Sequence, residues 1–254
     1  MEGIVCGASV SKELAWIDGV LCEGVAEPLV RVWAYDAPAV VLGCSARVSA
    51  EMGARARAAG VELCVRQSGG GAVLTGPWVL GATVLLPSHH PLVVPSIPQS
   101  YRWFGLVHSA WLHSMGIVGA RAVRQPQLED RNLAWACFAR VSHWEVEVSG
   151  RKIVGLAQAR RRSGVLLSSA ALIAAPPWQL LCDVLEVSHA HAAILAERTL
   201  SCAQITARCP AAEVLARPLL TRLLRAVHAA GHRTCPRTDA HERTGAPDRT
   251  GSAG

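Results

Sequence analysis

Between residues 143 and 173 the chain writes three strand-like runs separated by short turns, and this stretch limits the possible fold more than any other. H-W-E-V-E-V (143–148) alternates apolar and polar residues, Ser149-Gly150 makes a two-residue turn, and R-K-I-V-G-L-A-Q (151–158) returns antiparallel. After Ser163-Gly164 a further apolar run, V-L-L-S-S-A-A-L-I (165–173), adds a neighbouring strand. Strands joined this tightly commit the middle of the sheet to antiparallel pairing. Lys152 stands out inside it. It is one of two lysines, the other being Lys12, in a chain whose 25 basic residues are otherwise arginine. The plain reading is an exposed strand residue; the chemical one is a task that suits a compact three-donor ammonium better than a flat guanidinium.

Around this sheet the chain reads as one α+β domain over residues 1–230, with a mixed, largely antiparallel sheet and flanking helices. Ser9 or Ser11 caps a first helix through Leu14, Ile17, Leu21 and Val25. L-V-R-V-W-A-Y (29–35) and A-V-V-L-G-C (39–44), joined by D-A-P, read as a hairpin. Ser49 caps a second helix that Gly60 ends, and V-E-L-C-V-R (61–66) is again a strand. Residues 79–87 give another strand. A long helix runs through Tyr101, Phe104, Val107, Trp111 and Met115, and A-W-A-C-F-A around Cys137 reads as a strand behind a polar loop at 124–132. Helical patterns follow from Pro176 and over about 211–229. Residues 231–254 lose all periodicity and are expected to form a disordered tail.

Composition removes several classes of function. No apolar run approaches the roughly eighteen residues of a membrane-spanning helix, and the N-terminus lacks the basic flank of a signal peptide, so a cytoplasmic protein with no membrane partner is expected. Nine cysteines without a C-x-x-C pair, and histidines without a third ligand nearby, spell no metal site. The formal charge of +6 is partly gathered in Arg160, Arg161 and Arg162, with no nucleic-acid-binding motif beside it. No nucleic-acid partner is expected; an acidic protein docking on that rim fits the charge.

Directly after the 61–66 strand comes Q-S-G-G-G-A-V-L (67–74). Three glycines after a strand let backbone approach a ligand closely and gather N–H groups into one concavity able to hold phosphate or carboxylate oxygens. The loop is neither a P-loop nor a dinucleotide-binding turn.

Taken together, R-x-S-G-G-G-A-V and, some eighty residues on, G-R-K-I-V-G-x-A-Q resemble the lipoate-protein ligase A and octanoyltransferase family over about residues 12–230. The resemblance implies the fold of biotin and lipoate ligase catalytic domains. It implies that Arg66, Ser68, Gly69, Gly70, Gly71 and Ala72 form the loop that wraps an acyl chain or an adenylate phosphate. Lys152 would donate to the acyl carbonyl as charge develops there. Gly155, Ala157 and Gln158 would continue the strand along the acyl tunnel. The spacing of Cys137-Phe138 to the lysine motif resembles the LipM-type octanoyltransferases, in which that cysteine is the nucleophile, its pKa lowered by the nearby lysine. Acyl carrier protein would then be the donor. A lysine on a lipoyl domain of a 2-oxoacid dehydrogenase, or on the glycine-cleavage H protein, would be the acceptor. This route needs no cofactor, whereas an ATP-dependent lipoate ligase, the alternative, needs ATP and Mg²⁺. A non-catalytic relative that binds acyl chain, carrier or lipoyl domain is a third reading. It draws on two departures: Val65, Thr75 and Gly76 stand where the family carries Arg and His-Asp, and Ser169, Ala170 and Ala171 where it carries His-Gly-Ser or His-Gly-Thr.

Overall fold

The structure, a computed structural model, describes residues 3–128, 130–207 and 211–231. The expected disordered tail lies almost wholly outside them. In chain order the elements are β1 (Gly3–Ala8), α1 (Val10–Glu23), β2 (Leu29–Tyr35), β3 (Ala39–Leu42), α2 (Ala50–Ala58), β4 (Glu62–Val65), β5 (Val73–Thr75), β6 (Val79–Leu86), α3 (Ile97–Ser114), β7 (Arg121–Ala122), β8 (Val146–Val148), β9 (Arg151–Arg161), β10 (Gly164–Leu172), α4 (Trp178–Leu185), α5 (Ala190–Arg198), α6 (Cys202–Thr206) and α7 (Ala212–Gly231).

Seven strands form the main sheet in the order β1-β2-β6-β10-β9-β8-β7, and β4-β3-β5 form a second, smaller sheet. Among the named strands of the described residues, β1 with β2 and β3 with β4 pair parallel and the other pairs are antiparallel. The tight turn at the centre of the sequence argument is present. Ser149 and Gly150 both take positive φ, 51° and 79°, the conformation that matches the twist of the β8 and β9 strands it joins. One face of the main sheet is covered by α3 and α7, where Phe104, Trp111, Leu112, Leu219 and Leu223 pack on Val32, Val84, Val154 and Leu167. On the other face Ile17 and Leu21 of α1 pack on Leu85, Ala159 and Leu166. The small sheet and α4 gather around Val40, Leu74, Phe138 and Trp178.

Three expectations are corrected. The runs at 29–35 and 39–44 do not form a hairpin: β1 and β6 occupy both edges of β2, and β3, buried at all four residues, finds cover in the small sheet. The A-W-A-C-F-A segment is not a strand. Cys137–Ala139 form a single 3-10 turn, preceded by another at Arg131–Leu133. The run from His143 is strand only over its last three residues, because Trp144 adopts φ 63° and breaks the extended chain. No helix among the described residues is long and apolar enough to cross a membrane.

Candidate functional site

The 3-10 turn at Cys137 is held from two directions. Its backbone N–H donates to the Ala72 carbonyl at 2.9 Å, and Ala72 N–H donates in turn to the Trp135 carbonyl at 2.6 Å, so the glycine-rich loop lies directly along the Cys137 segment. From the sheet, Lys152 Nζ donates to the Cys137 carbonyl at 2.8 Å and to the Arg140 carbonyl at 3.1 Å. Glu145 takes the third donor at 2.7 Å, with side-chain exposures of 1% for Lys152 and 3% for Glu145. Both oxygens of the glutamate also accept backbone donors, Oε1 the Leu156 N–H at 3.0 Å and Oε2 the Ser142 N–H at 2.6 Å. Lys152 is therefore no exposed strand residue. The expected donation from Lys152 to an acyl carbonyl finds no spare N–H, since all three point at protein oxygens.

Arg66 is spent in the same way. Its guanidinium donates to Ser68 Oγ, to the Val41 carbonyl, and at 2.8 Å each to the carbonyls of Gly69 and Gly71. This draws the loop carbonyls to one side. Among the described residues the N–H groups of Gly69, Gly70 and Gly71 have no acceptor. Glycine is required at 71, where a Cβ would sit 2.5 Å from the Trp135 oxygen and 2.9 Å from the Cys137 nitrogen.

Cys137 borders two cavities. The first is lined by Arg66, Ser68, Phe138, Gly155 and Ala157 together with apolar side chains of α1 and the small sheet. The second is lined by Gly70, Gly71, Ala72, Trp135, Arg140 and Arg198, with Asp130 beside Arg198. Gln158 does not line the first cavity. The alternation of β9 sends it to the opposite face from Gly155 and Ala157, where both amide atoms are buried without a hydrogen-bond partner among the described residues. Thr75 lines the first cavity. Ser169 turns its hydroxyl toward α3, 2.9 Å from His108 Nε2.

Sequence reasoning missed Glu145, Glu13, Tyr35 and Tyr101. Glu145 had a visible signal, as one of two carboxylates, with Glu147, in the W-E-V-E-V run. Tyr101 of α3 packs against the core of the main sheet; burial first, then the charges of Glu145 and Cys137, push its phenol well up. Glu13 and Tyr35 line the first cavity. Of the other described thiols, Cys182 and Cys202 are buried, whereas Cys6, Cys22 and Cys44 are exposed; burial, with Glu62 beside it, pushes Cys64 up to about 12.

The comparisons with known proteins agree with this architecture. The lipoyl protein ligase A/B catalytic domain family matches residues 15–198. Octanoyltransferase LipM of Moorella thermoacetica is 32% identical over 153 residues, covering 59% of this chain and 55% of that protein. LipM of Kyrpidia tusciae is 32% identical over 164 residues, covering 62% and 58%. The chain thus spans a little over half the length of these curated relatives. A lipoate-protein ligase A bound with ATP superposes with a TM-score of 0.67 at 20% identity, over 90% of this chain and 86% of that one. The lipoate protein ligase Ta0514 of T. acidophilum with bound lipoic acid superposes with a TM-score of 0.64 at 20% identity, over 90% and 86%. These two likenesses show the fold. With the family pattern spanning most of the sequence and the same fold around it, the chain belongs to the lipoyl protein ligase A/B catalytic domain family.

Proposed function

We propose that this chain is an octanoyl or lipoyl transferase of protein lipoylation that carries its acyl group as a thioester on Cys137. The observation that supports it is the mounting of that residue. Both of its backbone polar groups are tied down, by Ala72 and by Lys152, while its side chain borders an apolar cavity on one side and an arginine-lined cavity on the other. An acyl chain fits the first cavity, and the thiol-bearing arm of a carrier, or an incoming lysine, fits the second.

In the first step the Cys137 thiolate attacks the thioester carbonyl of an acyl carrier protein, and the carrier thiolate leaves. In the second the amine of a lipoyl-domain lysine attacks the acyl-enzyme. It loses a proton, and the Cys137 thiolate is restored. The acceptor would be a lipoyl domain of a 2-oxoacid dehydrogenase or the glycine-cleavage H protein. The unpaired N–H groups of Gly69 to Gly71 are the donors available to the oxyanion in both steps. Lys152 acts as a positioning residue that fixes the turn. Arg161 and the exposed Arg162 suit an acidic carrier, because Arg161 donates to Gln67 Oε1 at 3.1 Å beside the glycine-rich loop. A reducing cytoplasm would keep such a thiol free.

Incubation with octanoyl carrier protein should give an intact-mass adduct of one octanoyl group that is absent in Cys137→Ala. No adduct on the wild-type chain overturns the proposal. A second reading, an ATP-dependent lipoate ligase, is favoured by the unpaired glycine N–H groups and the two arginines of the second cavity, which suit phosphate. It predicts lipoyl-adenylate from free lipoate, ATP and Mg²⁺, unchanged by Cys137→Ala.

A further inference from the structure

The second cavity opens outward into a further concavity. Asp130, Ala139, Arg140 and Arg198 line both, so the two are successive rooms of one trench that starts at Cys137 and emerges beside the Ser149-Gly150 turn. The outer room is cationic. Arg131, Arg140, Arg151 and Arg198 stand around it against two carboxylates, Asp130 and Glu197. Arg198 is committed to Asp130, at 2.9 Å, and to the Ala139 carbonyl at 3.1 Å. Arg131 is exposed and has no ion-pair partner among the described residues. The Arg151 guanidinium donates to the Ala196 carbonyl at 2.9 Å, while its Nε is buried with no acceptor among the described residues.

An apolar side chain joins this rim. Leu128 is 96% exposed where it lines the outer room. Its neighbour Gln127 is pinned: the backbone N–H donates to the Val141 carbonyl at 2.9 Å, and the side-chain amide donates to the Gly150 carbonyl at 2.9 Å and accepts the Val141 N–H at 3.1 Å. Leucine and arginines displayed together at the mouth of a reactive site have the composition of a protein interface, apolar area set among guanidinium groups.

We propose that this outer room is the docking face for the acyl acceptor, a protein that presents its target lysine between carboxylates. The inference rests on the reading of Cys137 as the acyl-bearing thiol. A lysine side chain is short, so the protein that carries it must come close. Ala139 and Arg140 lie two and three residues beyond Cys137, which puts the inner edge of the room within about 10 Å of it along the chain. The four-carbon stem of lysine covers much of that gap. The thiol-bearing arm of a carrier is longer, and its protein can stay farther off at Arg161 and Arg162. Charge then sets the chemistry of the partner. A lone ammonium would be repelled by the arginines, whereas carboxylates flanking it turn repulsion into attraction and fix the register of approach. Arg151, with an unmet Nε, gains most from such a carboxylate.

Calorimetric titration of the full chain with a lipoyl domain bearing its unmodified lysine tests this without acyl chemistry. Binding is expected at low salt. Arg131→Glu/Arg151→Glu should weaken it about tenfold, a difference that fades at high salt. Arg131→Glu alone, at an exposed position that leaves the partly buried Arg151 in place, should weaken it about threefold. Arg217→Glu/Arg225→Glu, the same charge change on exposed positions of α7, should bind as the wild type does. No binding by the wild-type chain, equal binding by wild type and Arg131→Glu/Arg151→Glu, or an equal loss in the α7 variant overturns the inference. Any of these alongside acylation of Cys137 by octanoyl carrier protein leaves the transferase reading intact. Loss of binding confined to the Arg131 and Arg151 variants, with no Cys137 adduct on the wild-type chain, keeps the docking face and overturns the thioester route.

Discussion

Lys152 and Glu145 form an ion pair closed to solvent in which every donor and every carboxylate oxygen has a partner. A pair like this contributes little net stability compared with an apolar pair of the same shape, but removing one member strands the other as a buried charge. Lys152→Met should therefore lower the unfolding free energy by about 3–5 kcal/mol, measured in urea, and Glu145→Leu should do much the same. The double variant should recover a large part of that loss. Acylation of Cys137, followed by intact mass, should stay impaired in the double variant, because the carbonyls of Cys137 and Arg140 still lack their ammonium. A double variant with restored stability and wild-type acylation would show that the lysine serves folding alone.

The glycine-rich loop and the 3-10 turn behave as one unit, pressed together at Gly71. Gly71→Ala is expected to push the loop from Trp135 and Cys137, cutting the acylation rate at least tenfold, about 1.4 kcal/mol of barrier, while the core packing of α3, α7 and the main sheet is untouched. A stopped reaction sampled by mass spectrometry reads the rate, and an unchanged rate would mean that the loop does not set the thiol. How much of this was legible beforehand depends on the range of the forces involved. Ser9 and Ser49 cap α1 and α2 as their sequences imply, because a cap is a contact over three residues. The Ser149-Gly150 turn was legible for the same reason. The partners of β2 and β3 were not, since pairing is decided by which edges other strands have already taken. A-W-A-C-F-A misled because residues apolar on every side look the same in a buried strand and in a buried turn. At the site, the meeting of Lys152 with the Cys137 segment was legible, because their motifs stand fifteen residues apart. The bond of Glu13 to Thr83 was not, since the two lie seventy residues apart and are brought near only by the packing of α1 on the sheet.

Across the whole molecule, one buried base ties stability to pH. His108 of α3 sits beneath the main sheet, its Nδ1 2.8 Å from the Phe104 carbonyl and its Nε2 accepting from Ser169. Burial pushes it down from 6.5 to about 4, although the Phe104 hydrogen bond works the other way. Between those values the unfolded chain binds a proton that the folded chain refuses. Its contribution is fully present above the unfolded value and is lost as pH falls from 6.5 towards 4, on the order of 3 kcal/mol in all. Urea titrations across that window should show the decline in the wild type, and His108→Gln should flatten it; a parallel decline in both would assign the acid sensitivity elsewhere. The same closed packing bears on the lysine census. A catalyst that hands acyl groups to lysine amines must not spend them on itself. On the proposed transferase reading, the two lysines of the chain, one sealed in the sheet by three hydrogen bonds and the other, Lys12, on the outer surface of α1, would leave a loaded Cys137 almost no internal amine to discharge onto. Arginine, which does not form amides under these conditions, fills the remaining basic positions, so on that reading scarcity of lysine would limit self-acylation.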